Sequence, residues 1–257
     1  MKLYFKFFAI HLKSEMAYPA SFFLSCCGRL ILLATSLVSI RFLMDRFGSI
    51  AGHTLGEVLL GFGVVMTASN LAECFARGFD AFSRIVREAQ FDRLMVRPRN
   101  LVFQVICQDL RLASAANVLA GCIVILRAAR ISGILWTLPK ILTLASMVLC
   151  GSLLFFGVFL IYAALCFVTL EGLEFMNIFT DGIRQYSQYP YAVYGKGVLW
   201  FTTVIMPMAM VQYWPLQYLM GNGPRWYGLF PLLSLWFLGP CYAVWRLGVR
   251  HYRSAGS

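Results

Sequence analysis

Apolar stretches long enough to cross a bilayer follow one another along most of this chain, at about 20–43, 56–76, 101–126, 141–168, 198–219 and 227–247. A spanning helix needs roughly 20 mainly apolar residues at about 1.5 Å rise each. In hydrocarbon every backbone polar group must find its partner within the protein, so runs of this length are expected to be helices. Of the 257 residues, 60% are hydrophobic and 13% charged, and the mean hydropathy is +0.73. Soluble domains carry roughly 25% charged residues. The sequence therefore predicts an all-α membrane protein, one domain over 1–257 with six transmembrane helices. The fourth stretch is long enough to tilt or to continue past the bilayer.

The opening residues, MKLYFKFFAIHLKSEM, place Lys2, Lys6 and Lys13 on one line of a helix, with Leu3, Phe5, Phe7, Phe8, Ile10 and Leu12 around the rest. This predicts an amphipathic helix over 1–17 lying in the membrane interface. A cleaved signal peptide is the competing reading, but Lys6 and Lys13 interrupt its apolar region. The net charge of +11 fits basic loops beside anionic headgroups rather than nucleic-acid binding. With the N-terminus inside, fifteen Lys and Arg fall on inner segments and six on outer ones, with Arg29 left within the first span. Both termini are thus expected in the cytoplasm.

The densest charge is REAQFDRLMVRPRN at 87–100, which carries Arg87, Arg93, Arg97 and Arg99. Phe82, Ile85, Val86, Ala89 and Leu94 recur at near-helical spacing before it and within it. Pro98 stops any helix, because it lacks an N–H and disfavours helix at the residue before it. One or two short helices and a rigid turn over 78–100 would make a cytoplasmic docking element. Arginines that only fix topology and touch phospholipid are the plainer reading of the same composition. A mixed aromatic piece at 171–196 is expected to be a cytoplasmic connector, with Glu171 and Glu174 at its start.

FDRLMVRP resembles the short motif after the second span in permeases of the type-2 ATP-binding-cassette (ABC) exporter class, above all the small six-span ABC-2 family of bacteria. The matching residues are Asp92, Leu94, Arg97 and Pro98. That family often has a glycine shortly before the aspartate, where this chain has Ala89-Gln90. A second match lies at Tyr189 and Pro190 before the fifth span, then Pro207, Ala209, Tyr213 and Pro215 within it. The resemblance covers nearly the whole chain. It implies a fold like that of type-2 ABC exporters in the bacterial inner membrane. It also implies coupling to an ABC ATPase subunit through Arg87, Asp92, Arg93, Leu94, Arg97 and Pro98. A second permease subunit, a copy or a related chain, completes the implied assembly.

The sequence itself points to a partner for energy. GKG at 195–197 lacks the spacing and the Ser/Thr of a phosphate-binding loop, so no cofactor is expected on this chain, and ATP and Mg belong to the partner subunit. Pro207 and Pro215 each remove a backbone hydrogen bond and are expected to kink the fifth span, making it, with Tyr213, a candidate gate. Arg29 within the first span costs about 2.5–3.5 kcal/mol unless it is partnered; Glu73 and Asp109 are the candidate carboxylates. The eight cysteines and three histidines show no metal-ligand spacing, and no acid–base cluster favours a lipid-modifying enzyme. A stand-alone secondary transporter or a scaffold is the alternative, although such transporters often show internal repeats and none is evident.

Overall fold

The computed structural model describes residues 9–10, 13–49, 52–109, 111, 113–169, 182, 184–186, 189 and 191–252. Most of the expected interfacial helix and of the 171–196 connector, with Glu171, Glu174 and Pro190, lies outside them. The described chain is helical apart from short links. Five helical segments are long and apolar enough to cross a membrane: Pro19–Phe47, Leu55–Arg87, Ser114–Ile131, Leu138–Thr169 and Arg225–His251.

The helices, in order, are α1 (Pro19–Phe47), α2 (Leu55–Asp80), α3 (Phe82–Arg87), α4 (Gln90–Met95), α5 (Leu101–Gln108), α6 (Ser114–Ile131) and α7 (Leu138–Thr169). They continue with α8 (Lys196–Val204), α9 (Met208–Val211), α10 (Tyr213–Met220), α11 (Phe230–Leu233) and α12 (Leu238–His251). Helix α2 is the axis of the bundle, buried along most of its length between α6 and α7, and α12 packs on the far side of α7. Helix α1 stands at the edge, where only Leu33, Ile40 and Met44 are buried, against a small cluster with Val58 and Phe62. Its exposed apolar face fits a surface turned to lipid.

Where there is no hydrophobic drive between helices in lipid, small residues and polar links hold them together. The α2–α6 seam follows that rule. A side chain at Gly121 would collide with Thr67, so the backbones touch there. Three residues along α2 and four back along α6, Asn117 donates to Asn70 at 3.2 Å; a turn further, Ser114 donates to Glu73 at 3.1 Å.

Two expected spans are broken. The stretch 101–126 is not one helix: α5 ends at Gln108, Asp109 is extended (φ −143°, ψ 119°), and α6 starts at Ser114. The polar residues of the break face different partners, Asp109 toward Arg84 and Arg111 toward Glu73, which one continuous helix would not supply. The stretch 198–219 is divided among α8, α9 and α10. Tyr191 lies beside Glu57, Val58 and Gly61 near the start of α2, the end away from α3. The expectation of a connector wholly on the 78–100 side therefore does not extend to Tyr191, whose ring is buried among apolar residues.

Candidate functional site

Between α2 and α5 the chain turns sharply several times within about twenty residues. Helix α2 kinks at Ala76 (φ −124°, ψ 21°). Two residues on, Gly78 lies so close to the Val105 carbonyl that no side chain would fit. Helices α3 and α4 have six residues each, too short to hold themselves in isolation. Tertiary burial must supply their stability.

That burial is largely aromatic. Phe82 and Phe91 are wholly buried, with Ile85, Val86 and Leu94 beside them. The Phe82 ring lies 5.1 Å from Phe167 of α7 and 5.3 Å from Trp245 of α12. Phe91 lies 4.9 Å from Phe167 and 5.0 Å from Tyr252. Phe79 of α2 joins the same group, 5.1 Å from Trp245. Most of these pairs meet edge to face, a geometry worth about 0.5–1.5 kcal/mol per pair beyond area burial. The cluster acts as a keel that fixes α3 and α4 to three long helices at once.

The opposite face of α3 and α4 is basic. Arg87, Arg93, Arg97 and Pro98 are exposed and Asp92 is half-buried, whereas Leu94 belongs to the buried side. Asp92 occupies the first turn of α4, where a carboxylate complements the exposed backbone N–H groups. Ala89, just before α4, is left-handed (φ 51°, ψ 22°), a conformation that suits glycine better than alanine.

The turn after α4 is stapled from behind. The Arg99 backbone N–H donates to the Arg97 carbonyl at 2.7 Å across Pro98. Gln104 is buried and its Nε2 donates to the carbonyls of Leu94 (3.1 Å) and Arg99 (3.0 Å). Asn100 caps α5, its side chain accepting from the Val102 N–H at 2.9 Å. Gln104 carries no sequence signal of this role, since a lone Gln in an apolar stretch looks like any other. Asn100 had a signal that could have identified it as a cap, its place between Pro98 and an apolar run, which the sequence expectations passed over.

The charges expected within the membrane separate into two groups. Arg29 of α1 donates to Glu73 at 3.0 Å and to Ser114 at 3.1 Å. Arg111 and Arg77 approach the other Glu73 oxygen at 3.4 and 3.7 Å. The Glu73 side chain is 8% exposed, so removing its partners would leave a buried, uncompensated charge. Asp109 is elsewhere, paired with Arg84 at 3.2 Å on a more open surface. Arg77 follows Glu73 by four residues on one helix, a spacing that brings them together, but nothing linear shows that Arg111 joins them or that Arg84 takes Asp109.

The fifth stretch breaks at Pro207 and again at Gln212, three residues before Pro215. Pro207 (φ −69°, ψ 43°) separates α8 from α9. Pro215 sits in the first turn of α10, and the interruption at Gln212 (φ −108°, ψ −62°) falls where its missing N–H could not bond back to the Val211 carbonyl. Trp214 ties the two arms by donating to the Thr203 hydroxyl at 3.1 Å. Tyr213, half-buried, borders a very small gap with Gly61, Tyr191 and Gln212. Among the described residues no group of three or more His, Cys, Asp or Glu is placed to hold a metal ion.

A family model described as ABC-2 family transporter protein matches residues 30–256. Comparison with curated proteins and with solved structures found no match.

Proposed function

The chain belongs to the ABC-2 transporter family, and from that premise we propose that it is the membrane-spanning permease of an exporter driven by ATP hydrolysed on a partner subunit. Family membership and apolar helices make it a multi-pass membrane protein, and the family in general associates with an ABC ATPase. The finer reading rests mainly on one observation. Helices α3 and α4 present Arg87, Arg93 and Arg97 outward while Phe82 and Phe91 are held against α7 and α12. A partner that grips the basic face would move three long helices, because the aromatic contacts leave no slack between them. Force enters as displacement of a rigid lever rather than as chemistry on this chain.

In this reading the basic end, with both termini, faces the cytoplasm of a bacterial inner membrane. A sixth crossing is part of this reading, and connectivity supports it. Helix α7 ends beside Trp245 and Tyr252, and Gly228 lies beside Thr143 at the other end of the bundle. In this reading the chain between these points crosses, and Pro207, which separates α8 from α9, is suited to a gate. The exposed flank of α1 suits lipid or a second permease subunit, a copy or a related chain. The cargo is amphipathic or lipid-like in this proposal, in keeping with the apolar, aromatic spans.

Co-purification tests the reading. Replacing Arg93 and Arg97 by Ala removes two exposed charges and no buried contact, so membrane insertion should be unchanged. The ATPase subunit that accompanies the wild-type chain should be lost or reduced about tenfold. Undiminished ATPase association and transport would mean that these arginines serve topology alone.

A further inference from the structure

None of the residues of α8 is buried, and Val198, Trp200, Phe201 and Val204 stand exposed. The chain on either side of it is held. Tyr191 is buried before α8, and Pro207, Met208 and Ala209 are buried after it. At each junction the backbone can turn. Gly195 (φ 85°, ψ 171°) precedes α8 in a conformation that essentially only glycine adopts, and nothing lies within 4 Å of where a side chain would begin. Pro207 breaks the helical run at the other end. A stiff rod between two such points has the form of a hinged segment. Among the described residues, one side-chain hydrogen bond joins α8 to another element: the Trp214 indole Nε1–H donates to the Thr203 hydroxyl at 3.1 Å. That hydroxyl gives its own proton to the Leu199 carbonyl at 2.6 Å, which leaves its lone pairs to the indole. Trp214 is itself seated, its ring 5.1 Å from Tyr213 and 5.0 Å from Tyr227.

We propose that α8 is an arm hinged at Gly195 and Pro207 and held closed by a Trp214–Thr203 latch. The inference deepens the reading of Pro207 as a gate and rests on it for the purpose of the movement, whereas the latch itself stands on the contacts above. A hydrogen bond between helices in a bilayer biases an equilibrium by only about three- to twentyfold. That is enough to favour the closed arm and little enough for a partner or a cargo to reverse. The buried residues that flank the arm stay in place when it swings, so it moves without unpacking the bundle. Thr203 and Trp214 are positioning residues in this account: they set how often the arm is open and touch nothing that is transported.

The test measures the distance between spin labels in the full chain in detergent, one at position 200 on the arm and one at position 135 in the exposed link between α6 and α7. Labels carried on ketone-bearing residues leave the native cysteines untouched. Thr203→Val keeps the side-chain shape and removes the hydroxyl, and the ratio of open to closed arm should rise about three- to twentyfold. Thr203→Ser keeps the hydroxyl and should match the wild-type chain. Trp214→Phe should match Thr203→Val, and the double variant should open the arm no further than either single one, because both remove the same bond. An unshifted distance distribution in Thr203→Val, an equal shift in Thr203→Ser, or additive shifts in the double variant overturns the latch. The two Thr203 variants decide the matter alone if Trp214→Phe fails to fold. The measurement needs no partner, so ATPase co-purification with the wild-type chain tests the exporter reading separately, and either can fail without the other.

Discussion

Ala89 is a single residue whose conformation argues for a different side chain. In a left-handed conformation an L-residue with a Cβ is disfavoured by about 1–2 kcal/mol, and glycine escapes that cost. Glycine also loses more entropy on folding, so Ala89→Gly should stabilise the protein by a net of about 0.5–1 kcal/mol. A thermal melt in detergent should move up by a degree or more; a fall would show that the strain is not there. The glycine that the family resemblance implies near this point acquires a physical reason, because the turn between α3 and α4 needs that conformation. Glu73 teaches a different lesson at the same scale. That Arg29 needs a carboxylate is legible from its position in an apolar stretch. Arg77 follows Glu73 by four residues, so spacing alone brings those two together; that Arg29 and Arg111 join them, while Asp109 goes to Arg84, depends on which helix faces meet, and no spacing in one dimension fixes that.

The lever formed by α3 and α4 works only as well as its keel. Truncating Phe91 to Ala removes a wholly buried ring that touches Phe82, Phe167 and Tyr252, a change that costs about 3–5 kcal/mol in well-packed cores. Much of that loss should fall locally, because two six-residue helices have little else to hold them. The expected phenotype is uncoupling: the ATPase subunit still co-purifies, while transport per ATP hydrolysed drops several-fold. Full coupling with a lowered melting temperature would show that the aromatic contacts serve stability only. At this scale the sequence was informative about period and punctuation. The apolar positions Phe82, Ile85, Val86 and Leu94 are buried as their spacing suggests, and Pro98 does end the helical run. Composition misled at 101–126 and 198–219, where hydropathy reads as one span. Local partners for Asp109 and Arg111, and the missing N–H of Pro207, interrupt the backbone without lowering the average. The interruption at Gln212 falls on the N-terminal side of Pro215, where a proline's missing N–H acts.

At the scale of the molecule, one end of the bundle gathers the basic lever, the C-terminal helix end and the start of α1. The other gathers the Trp214–Trp226–Tyr227–Phe230 rings, an aromatic group suited to a membrane interface. Helix α2 joins them, and its kink at Ala76 lies between the Glu73 cluster and the lever. In the proposed reading, movement of the lever would pass to α7 and α12 through rings and to α1 through Arg29. The most direct test of this account is photocross-linking from a benzophenone side chain placed at position 97, on the lever, and at position 225, at the opposite end. In membranes containing the ATPase subunit, the probe at 97 should form an adduct with that subunit and the probe at 225 should not. An ATPase adduct from 225, or none from 97 in an actively transporting complex, would contradict the claim that the arginine-bearing lever receives the force of ATP hydrolysis.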